Sequence, residues 1–212
     1  MNALHYYSLD KSELLSLAKF VVQENYNHHC TSNNLRFSYE VKDIFEEETK
    51  FSNSKVFVTR GNDFEIVGSI RVLKWNKKDI LPIEKIFNIK PNYLTNSKRS
   101  EIWHIGRFAI KKGIDKLGFN VFKTLMVCAL NEVCKNENSI ALAECDAKLL
   151  KIIKILGIDA IVLADSINYL GSETIPVLLT YKSLKSFLDK NRYLLSTNFT
   201  QLHQSVVFQA TA

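Results

Sequence analysis

Apolar residues recur at helical spacing in several parts of the chain. The first such segment begins at Asp10, which has capping-box spacing with Glu13, and its apolar positions then repeat every three or four residues. Another segment ends at Gly157, a residue type that commonly follows the last turn of a helix. The pattern predicts helices over residues 10–25, 119–135, 147–156 and 184–194, with a short helical pattern at 83–87.

Clusters of β-branched and aromatic residues mark the predicted strands. Residues 55–60 and 64–74 flank the turn signal Gly61-Asn62-Asp63, which predicts an antiparallel hairpin. Further strands are predicted at residues 103–110, 139–144, 159–163 and 175–181. Residues 37–51 give mixed signals and receive no assignment, and residues 75–100 are predicted to form an unusually long connection.

The order of these elements predicts the fold class. A helix, a hairpin and then alternating strands and helices indicate an α/β (α+β) fold, a mixed sheet flanked by helices with one parallel crossover at its centre. A chain of 212 residues with 46% hydrophobic content is long enough for one sizeable core. We therefore expect a single domain over residues 1–195, followed by a polar tail at 196–212 whose order the sequence does not determine.

Composition narrows the cellular location and the kinds of partner that the sequence allows. The first residues lack a basic segment followed by an apolar one, and no later segment is apolar over a membrane-spanning length. The four cysteines form no CxxC pair, so neither a disulfide framework nor a metal site is indicated. We expect a cytoplasmic protein whose thiols are reduced. The net charge of +6 favours an anionic partner, but no nucleic-acid-binding motif accompanies it.

Two segments carry a resemblance to known enzymes. Residues 67–73 read VGSIRVL, and residues 102–109 read IWHIGRFA. They resemble the autoinducer synthases and the N-acyl amino acid synthases, an acyl-carrier-protein-dependent branch of the GNAT acyltransferase fold. In that branch a strand with Gly-x-x-Arg-Leu is followed, after a long segment, by Trp-Glu-x-Ser/Gly-Arg-Phe. Weaker similarity extends from the first helix to about Leu188.

The resemblance implies roles for residues on both motifs. Arg71 and Arg107 match the two basic positions of the family, where a guanidinium could hold a substrate carboxylate through a bidentate contact. Phe108 is expected beside the substrate. His104 stands where the family has glutamate, so the general base is expected to be His104 or Glu101, with Arg107 completing the catalytic set. The alternative is that the arginines are structural ion-pair partners and that the histidine is bonded locally.

The segment after the second motif bears on the acyl donor. Ordinary acetyl-CoA enzymes of this fold have Arg/Gln-x-x-Gly-x-Gly/Ala there, and its backbone N–H groups hold the pyrophosphate. The aligned residues are 115–120, and only Gly118 fits well, since Asp115 replaces the basic residue. The departure favours an acyl carrier protein over free CoA as donor. The residues expected to contact the donor are Ala109, Ile110, Lys111, Lys116, Leu117, Gly118, Phe119 and Asn120.

These features together yield one functional hypothesis and its rivals. The chain is expected to be an enzyme without a permanently bound cofactor, which uses acyl-phosphopantetheine of an acyl carrier protein, or acyl-CoA, as cosubstrate. The acceptor would be the amine of an amino acid or a similar small metabolite. The alternatives are an acetyl-CoA-dependent amine acetyltransferase, an acyl-homoserine-lactone synthase and a non-catalytic GNAT-like binding protein. The tyrosine that many acetyltransferases of this fold use as general acid is replaced by Ile153, and Tyr169 could reach in from the following segment.

Overall fold

The described residues are 4–29, 36–95, 99–115, 119–169 and 172–195 of a computed structural model, and they form one mixed sheet with helices on both faces. The strands are β1 (His5–Ser8), β2 (Ser54–Arg60), β3 (Ile66–Lys74), β4 (Glu101–Ile110), β5 (Ser139–Asp146), β6 (Ala160–Val162), β7 (Ile167–Tyr169) and β8 (Ser172–Thr180). The helices are α1 (Leu14–His29), α2 (Phe37–Lys50), α3 (Pro82–Phe87), α4 (Asn120–Val133), α5 (Ala147–Ile155) and α6 (Tyr181–Asn191). None of these helices is long and apolar enough to cross a membrane.

The sheet has its parallel pair at the centre, as the sequence predicts. Its strand order is β1-β2-β3-β4-β5-β8-β6, and β7 pairs with the same edge of β8 as β6 does. Neighbouring strands are antiparallel except β4 and β5, which are joined through α4. A parallel pair needs such a crossover, because the chain must return to the starting edge before the second strand begins.

The two faces of the sheet are covered by different helices. Leu14 and Leu17 of α1 pack against Val56 and Val58 of β2, and α2 packs against α1, so this side is termed the α1–α2 face. The opposite side is termed the α4 face. There Leu125 of α4 lies in one core cluster with Ile70 and Val72 of β3 and Phe187 of α6. Alternation along β3 and β4 therefore assigns each side chain to one of the two faces.

Three elements were not predicted from the sequence. The longest is α2, whose buried positions are Val41, Ile44 and Glu48. A glutamate at a buried position interrupts the apolar period, which is why this helix gave mixed signals. The others, β1 and β7, are short strands at the margins of the sheet, and β7 lies between the predicted strands at residues 159–163 and 175–181. The first predicted helix also continues beyond Asn25 to His29.

The centre of the sheet opens where β4 and β5 separate. Within the described residues, the pairing of these strands runs from Glu101 with Ser139 to His104 with Leu142 and goes no further. On its other side β4 stays paired with β3, but the register shifts between Ser69 and Arg71, which marks a β-bulge on β4. The parallel pair therefore diverges into a cleft bordered by the bulged half of β4.

Gly68 of β3 is a close-packing position on the α4 face. A Cβ atom there would lie 2.9 Å from Thr59 Cγ2 and 3.0 Å from Leu125 Cδ1. Both neighbours are buried, so Gly68→Ala is expected to lower the free energy of unfolding by about 1–3 kcal/mol through overpacking. Urea denaturation measures the loss. Gly61→Ala is the control, because its nearest contact would be a looser 3.3 Å to Val67 Cγ1. Equal losses in the two variants would contradict the steric explanation.

Candidate active site

The cleft between β4 and β5 has a volume of about 500 Å³ and passes from one face of the sheet to the other. Its lining on the α4 face is mostly apolar and consists of Ile105, Phe122, Met126, Ala143, Cys145, Leu149, Ile152, Ile153 and Leu179. Its lining on the α1–α2 face is more polar and includes Glu24, Asn25, His28, Glu40, Gly106, Arg107 and Glu144. An elongated ligand could therefore place an apolar chain on one side and a polar group on the other.

A buried ionic cluster, made of Glu47, Glu48, Arg71 and Arg107, borders the polar side. Glu48 Oε1 accepts a hydrogen bond from Arg107 Nε at 2.7 Å and lies 3.4 Å from Arg71 Nε. Arg107 also donates from Nη2 to Glu47, whose other oxygen is 2.5 Å from Lys85 Nζ. Arg71 is only 1% exposed and lies over the ring of Phe51. Helix α2 thus supplies a carboxylate for each of the two strand arginines.

The electrostatics of this cluster favour full ionisation of its carboxylates. Burial opposes the charge on Glu48, but Arg71 and Arg107 together outweigh it and hold the pKa of Glu48 below its usual value. The pKa of Glu47 is lowered too: burial again opposes ionisation, and Arg107 and Lys85 overcome it. Conversely, burial would lower the pKa of Arg107, yet Glu48 and Glu47 raise it above the usual value. The cluster is therefore held as ion pairs rather than as neutral groups.

The bulge on β4 determines which way Arg107 points. Arg107 has φ of +51°, in the left-handed region, and Ser69 Oγ donates to its carbonyl oxygen at 2.7 Å. In a regular strand Arg107 would lie on the face opposite His104, since the two positions differ by an odd number of residues. The extra residue of the bulge instead brings Arg107 to the α1–α2 face, where it meets α2. This conformation is costly for a non-glycine residue, as often occurs at functional sites.

A second polar unit is the pair of His104 and Glu144, on β4 and β5. His104 Nε2 lies 2.9 Å and 3.0 Å from the two oxygens of Glu144. A carboxylate can only accept, so Nε2 carries the hydrogen and donates it. His104 is 1% exposed, and its Nδ1 has no hydrogen-bond partner among the described residues. Glu144 lines the cleft, whereas His104 lies behind it, against Gly106.

The residues predicted for catalysis and acceptor binding occupy different places. Arg71, His104 and Arg107 converge on the α1–α2 face beside the cleft. Glu101 begins β4, pairs with Lys74 Nζ at 2.7 Å and lies on the α4 face by strand alternation. Gly68, the glycine of the first motif, is not among these residues and packs towards α4.

The predicted donor-contact residues follow the second half of β4. Phe108 lines the cleft and packs edge-to-face on Phe122, with ring centroids 4.8 Å apart. The lining also includes Ala109, Ile110, Lys111 and Phe119. Asn120 begins α4, and its carbonyl accepts a hydrogen bond from Thr124. The remaining predicted positions, Lys116, Leu117 and Gly118, lie outside the described residues.

Asp115 occupies the start of α4 with a negative charge. Its Oδ2 accepts a hydrogen bond from the backbone N–H of Phe122 at 2.9 Å. The first N–H groups of a helix have no partner within the helix and attract anions. Here a side chain of the protein itself satisfies one of them. The neighbouring loop is fixed to α1, since Glu24 accepts from the backbone N–H of Lys112 at 3.0 Å.

Sequence reasoning missed three residues of this site. Glu47 and Glu48 belong to a run of three glutamates, a pattern typical of a solvent-exposed surface, yet they are the partners of the two arginines. The period of Val41, Ile44 and Glu48 was the available signal. Glu144 was included only as the end of a predicted strand. A lone carboxylate in the apolar run Ile140-Ala141-Leu142-Ala143-Glu144 was the signal that a buried partner or a cleft lies nearby.

No protein-family model matches the sequence, and no curated protein matches it either. Solved structures do match. The chain is similar to FeeM, an N-acyl amino acid synthase from uncultured soil microbes, with a TM-score of 0.62, 12% identity, and coverage of 85% of this chain and 97% of that chain. The AHL synthase LasI matches with a TM-score of 0.60, 14% identity and coverage of 90% and 97%.

A GNAT-family acetyltransferase from Staphylococcus aureus Mu50 is more distant in geometry. It matches with a TM-score of 0.53, 13% identity, and coverage of 83% of this chain and 98% of that chain. At these identities the likeness concerns the fold. The chain has the GNAT fold, with a mixed sheet like that of the N-acyl amino acid and AHL synthases, and this confirms the fold expected from the two sequence motifs.

Proposed function

We propose that the protein is an N-acyltransferase that moves a fatty acyl group from the pantetheine of an acyl carrier protein to the amine of an amino acid or a similar small metabolite. The observation that carries the proposal is the cleft at the β4–β5 separation. It joins an apolar wall on the α4 face to Arg107 and Glu144 on the α1–α2 face. The likeness in fold to an N-acyl amino acid synthase and to an AHL synthase agrees with this division.

The acyl donor would enter along the bulged half of β4. At Ala109 and Ile110 this strand pairs with β3 on one edge, and β5 has already diverged from the other edge. Backbone N–H groups on that edge could polarise a thioester carbonyl, the kind of electrostatic assistance that acyl transfer needs. The acyl chain would then lie against Phe122 and Met126.

The acceptor would lie on the polar side, with its carboxylate at Arg107. This guanidinium lines the cleft with its side chain 13% exposed, and Glu47 and Glu48 fix its position. Arg71 is too deeply buried to meet the acceptor, so its role would be to hold Glu48. A fixed guanidinium loses little freedom on binding a carboxylate, which favours an amino acid as acceptor.

The surroundings of α4 favour a carrier protein over CoA as donor. Asp115 already places a carboxylate at the start of α4, where a second, pyrophosphate anion would be repelled. Lys111, Lys112 and Lys148 lie on the rim of the same cleft. A basic rim suits an acidic carrier protein, whose pantetheine carries one phosphodiester.

Production of the protein in a heterologous bacterium tests the proposal. New N-acyl amino acids are expected in lipid extracts analysed by mass spectrometry, and they would identify both chain length and acceptor. Two variants are compared with the wild type. Arg107→Ala removes the guanidinium, whereas Arg107→Lys keeps the positive charge beside Glu47 and Glu48 but loses the planar fork of N–H donors. We expect product to fall at least about tenfold in Arg107→Lys, because a bidentate contact is lost. Soluble wild-type protein without any new amide would contradict the proposal.

The donor is then identified with purified protein. Acyl carrier protein and CoA carrying the same acyl chain are compared at equal concentration, and the release of thiol and the formation of amide are measured. Preference for the acyl carrier protein agrees with the proposal. Preference for CoA, above all for acetyl-CoA, would instead indicate an amine acetyltransferase.

A further inference from the structure

We propose that Glu144 is the general base for the amine, and that His104 is a positioning residue that holds its carboxylate. This inference rests on the proposed function, because it assigns the proton of the acceptor in that reaction. It departs from the sequence-based expectation, in which His104 or Glu101 would take the proton.

Exposure distinguishes Glu144 from His104. The side chain of Glu144 is 12% exposed and lines the cleft, whereas that of His104 is 1% exposed and lies behind it. An amine bound in the cleft can approach the carboxylate, but it would have to pass Glu144 to reach the imidazole. A base must come within hydrogen-bond distance of the proton that it removes, so the carboxylate is the group in position.

Position relative to the cleft also selects Glu144. It projects from β5 on the same face as Arg107, which the proposed function assigns to the acceptor carboxylate. The ammonium of an amino acid would then have a carboxylate on one side and the diverging edge of β4 on the other. The amine and the thioester would then both lie in the gap between β4 and β5.

Three of the other carboxylates that line the cleft accept hydrogen bonds from backbone N–H groups. Glu24 accepts from the backbone of Lys112, Asp115 from Phe122 and Asp146 from Leu149 at 2.6 Å. Asp115 and Asp146 thus stabilise the first turns of α4 and α5, and Glu40 lies in the first turn of α2. These carboxylates therefore have structural roles at the ends of helices. Glu144 instead lies on a strand, contacts the side chain of His104 and lines the cleft.

The contact with His104 fixes Glu144 rather than consuming it. One N–H of the imidazole points between the two carboxylate oxygens, at 2.9 Å and 3.0 Å. Each oxygen can accept more than one hydrogen bond, so the outer side of the carboxylate stays able to accept from a substrate. The ring itself is held in place against Gly106, where a Cβ atom would lie only 3.1 Å from His104 Cε1. Gly106 leaves the space that this orientation requires.

The proton balance follows from these positions. The bound ammonium gives one proton to Glu144, and the amine lone pair attacks the thioester carbonyl carbon. A C–N bond forms, the C–S bond breaks and its electron pair goes to sulphur. The second amine proton leaves with that sulphur as the thiol of pantetheine, and Glu144 later returns its proton to water. The step needs no further acid, which agrees with an isoleucine, Ile153, at the position of the usual tyrosine.

Single-turnover kinetics with labelled acyl carrier protein test the inference. Glu144→Gln is expected to slow amide formation by about 10²- to 10⁴-fold, the usual contribution of a general base. The Kd for the donor should change by less than about threefold. Glu46→Gln is the control, because it removes a half-exposed carboxylate that lies outside the lining of the cleft, and its rate should stay within about threefold of wild type. Formate should partly restore the rate of Glu144→Ala by supplying a small carboxylate.

The role of His104 requires a readout that a structural role would not give. His104→Leu is expected to lower kcat by at least about tenfold, because Glu144 loses its donor. His104→Gln should recover most of that loss, since the amide N–H of glutamine can reach the position of Nε2. Thermal melts of all variants report whether each remains folded.

Each result bears on a different claim. If wild-type protein forms amide and Glu144→Gln forms it within about threefold of the same rate, the assignment of Glu144 is overturned while the proposed function stands. If His104→Gln is no faster than His104→Leu, the positioning role is overturned. If wild-type protein acylates no amine, the proposed function fails and the assignment of Glu144 fails with it.

Discussion

Glu48→Gln is expected to destabilise the protein by about 3–5 kcal/mol, the usual consequence of removing one partner from a buried ion pair. Glu48 is buried and lies against both Arg71 and Arg107. Glutamine has nearly the same shape, so the change removes a charge with little change in volume. Arg71, fully enclosed, would then have lost its nearest counter-charge.

Urea unfolding of the wild type and two variants measures this loss. The matched control is Glu46→Gln, two positions earlier on α2. Glu46 is half exposed and lies 3.8 Å from Lys42 Nζ, so its removal should cost less than about 1 kcal/mol. If the two variants were equally stable, the ionic cluster would contribute no more than a surface pair does.

The same cluster predicts how stability depends on pH. The pKa values of Glu47 and Glu48 are lower in the folded protein than in the unfolded chain, because the arginines outweigh the effect of burial. Their contribution is therefore fully present above the unfolded pKa of about 4.3 and is lost as pH falls through the folded pKa values. Wild-type stability should decline steeply below about pH 4. Glu48→Gln should decline less over the same range, since one of the two groups is gone.

The cluster also explains which parts of the fold could be predicted from the sequence. Regular helical spacing of apolar residues predicted α1, α4 and α5. Runs of β-branched residues predicted the hairpin of β2 and β3 and the central pair β4 and β5. Helix α2 was missed because Glu48 occupies one of its core positions. That position is favourable only when Arg71 and Arg107 lie opposite, and their placement depends on the strands to which α2 is packed. Local sequence carries no information on such a partnership.

The site could also be predicted only in part. The motif positions Arg71, His104 and Arg107 were identified, and the structure brings them together on one face. The bulge that turns Arg107 to that face was not visible, because a bulge depends on the pairing between two strands. Glu144 was missed for a related reason. Its partner is forty residues away on a neighbouring strand, and only the parallel register of β4 and β5 makes them adjacent.

The buried ion pairs and the position of the cleft are connected in this arrangement. The ion pairs from α2 fix Arg107 in its left-handed conformation, and the same bulge lies where β5 leaves β4. The cleft therefore opens beside a bulge whose left-handed residue is held by ion pairs. In the proposed reaction, a fixed frame of this kind would limit how far a bound acceptor and a bound donor could move relative to each other, as transfer between two substrates requires.

Ala143→Leu is expected to lower kcat/KM for long acyl donors by about 100-fold while leaving short donors nearly unaffected. Ala143 lines the apolar side of the cleft from β5, so a larger side chain would project into the space proposed for the acyl chain. If three to four methylenes lose their place, at about 0.8 kcal/mol each, the loss is roughly 3 kcal/mol, or about two powers of ten. Donors too short to reach Ala143 would bind as before.

Met126→Ala is the opposite change on the facing wall. Met126 of α4 lines the same apolar side, and its truncation enlarges the cleft there, with an expected stability cost of about 2–5 kcal/mol. Assays are therefore made well below the melting temperature of each variant, with a series of acyl carrier protein donors that differ only in chain length. The optimum should move to shorter chains in Ala143→Leu and to longer chains in Met126→Ala. A uniform loss at every length would mean that the apolar wall supports the fold but does not hold the acyl chain, and the donor would have to lie elsewhere along β4.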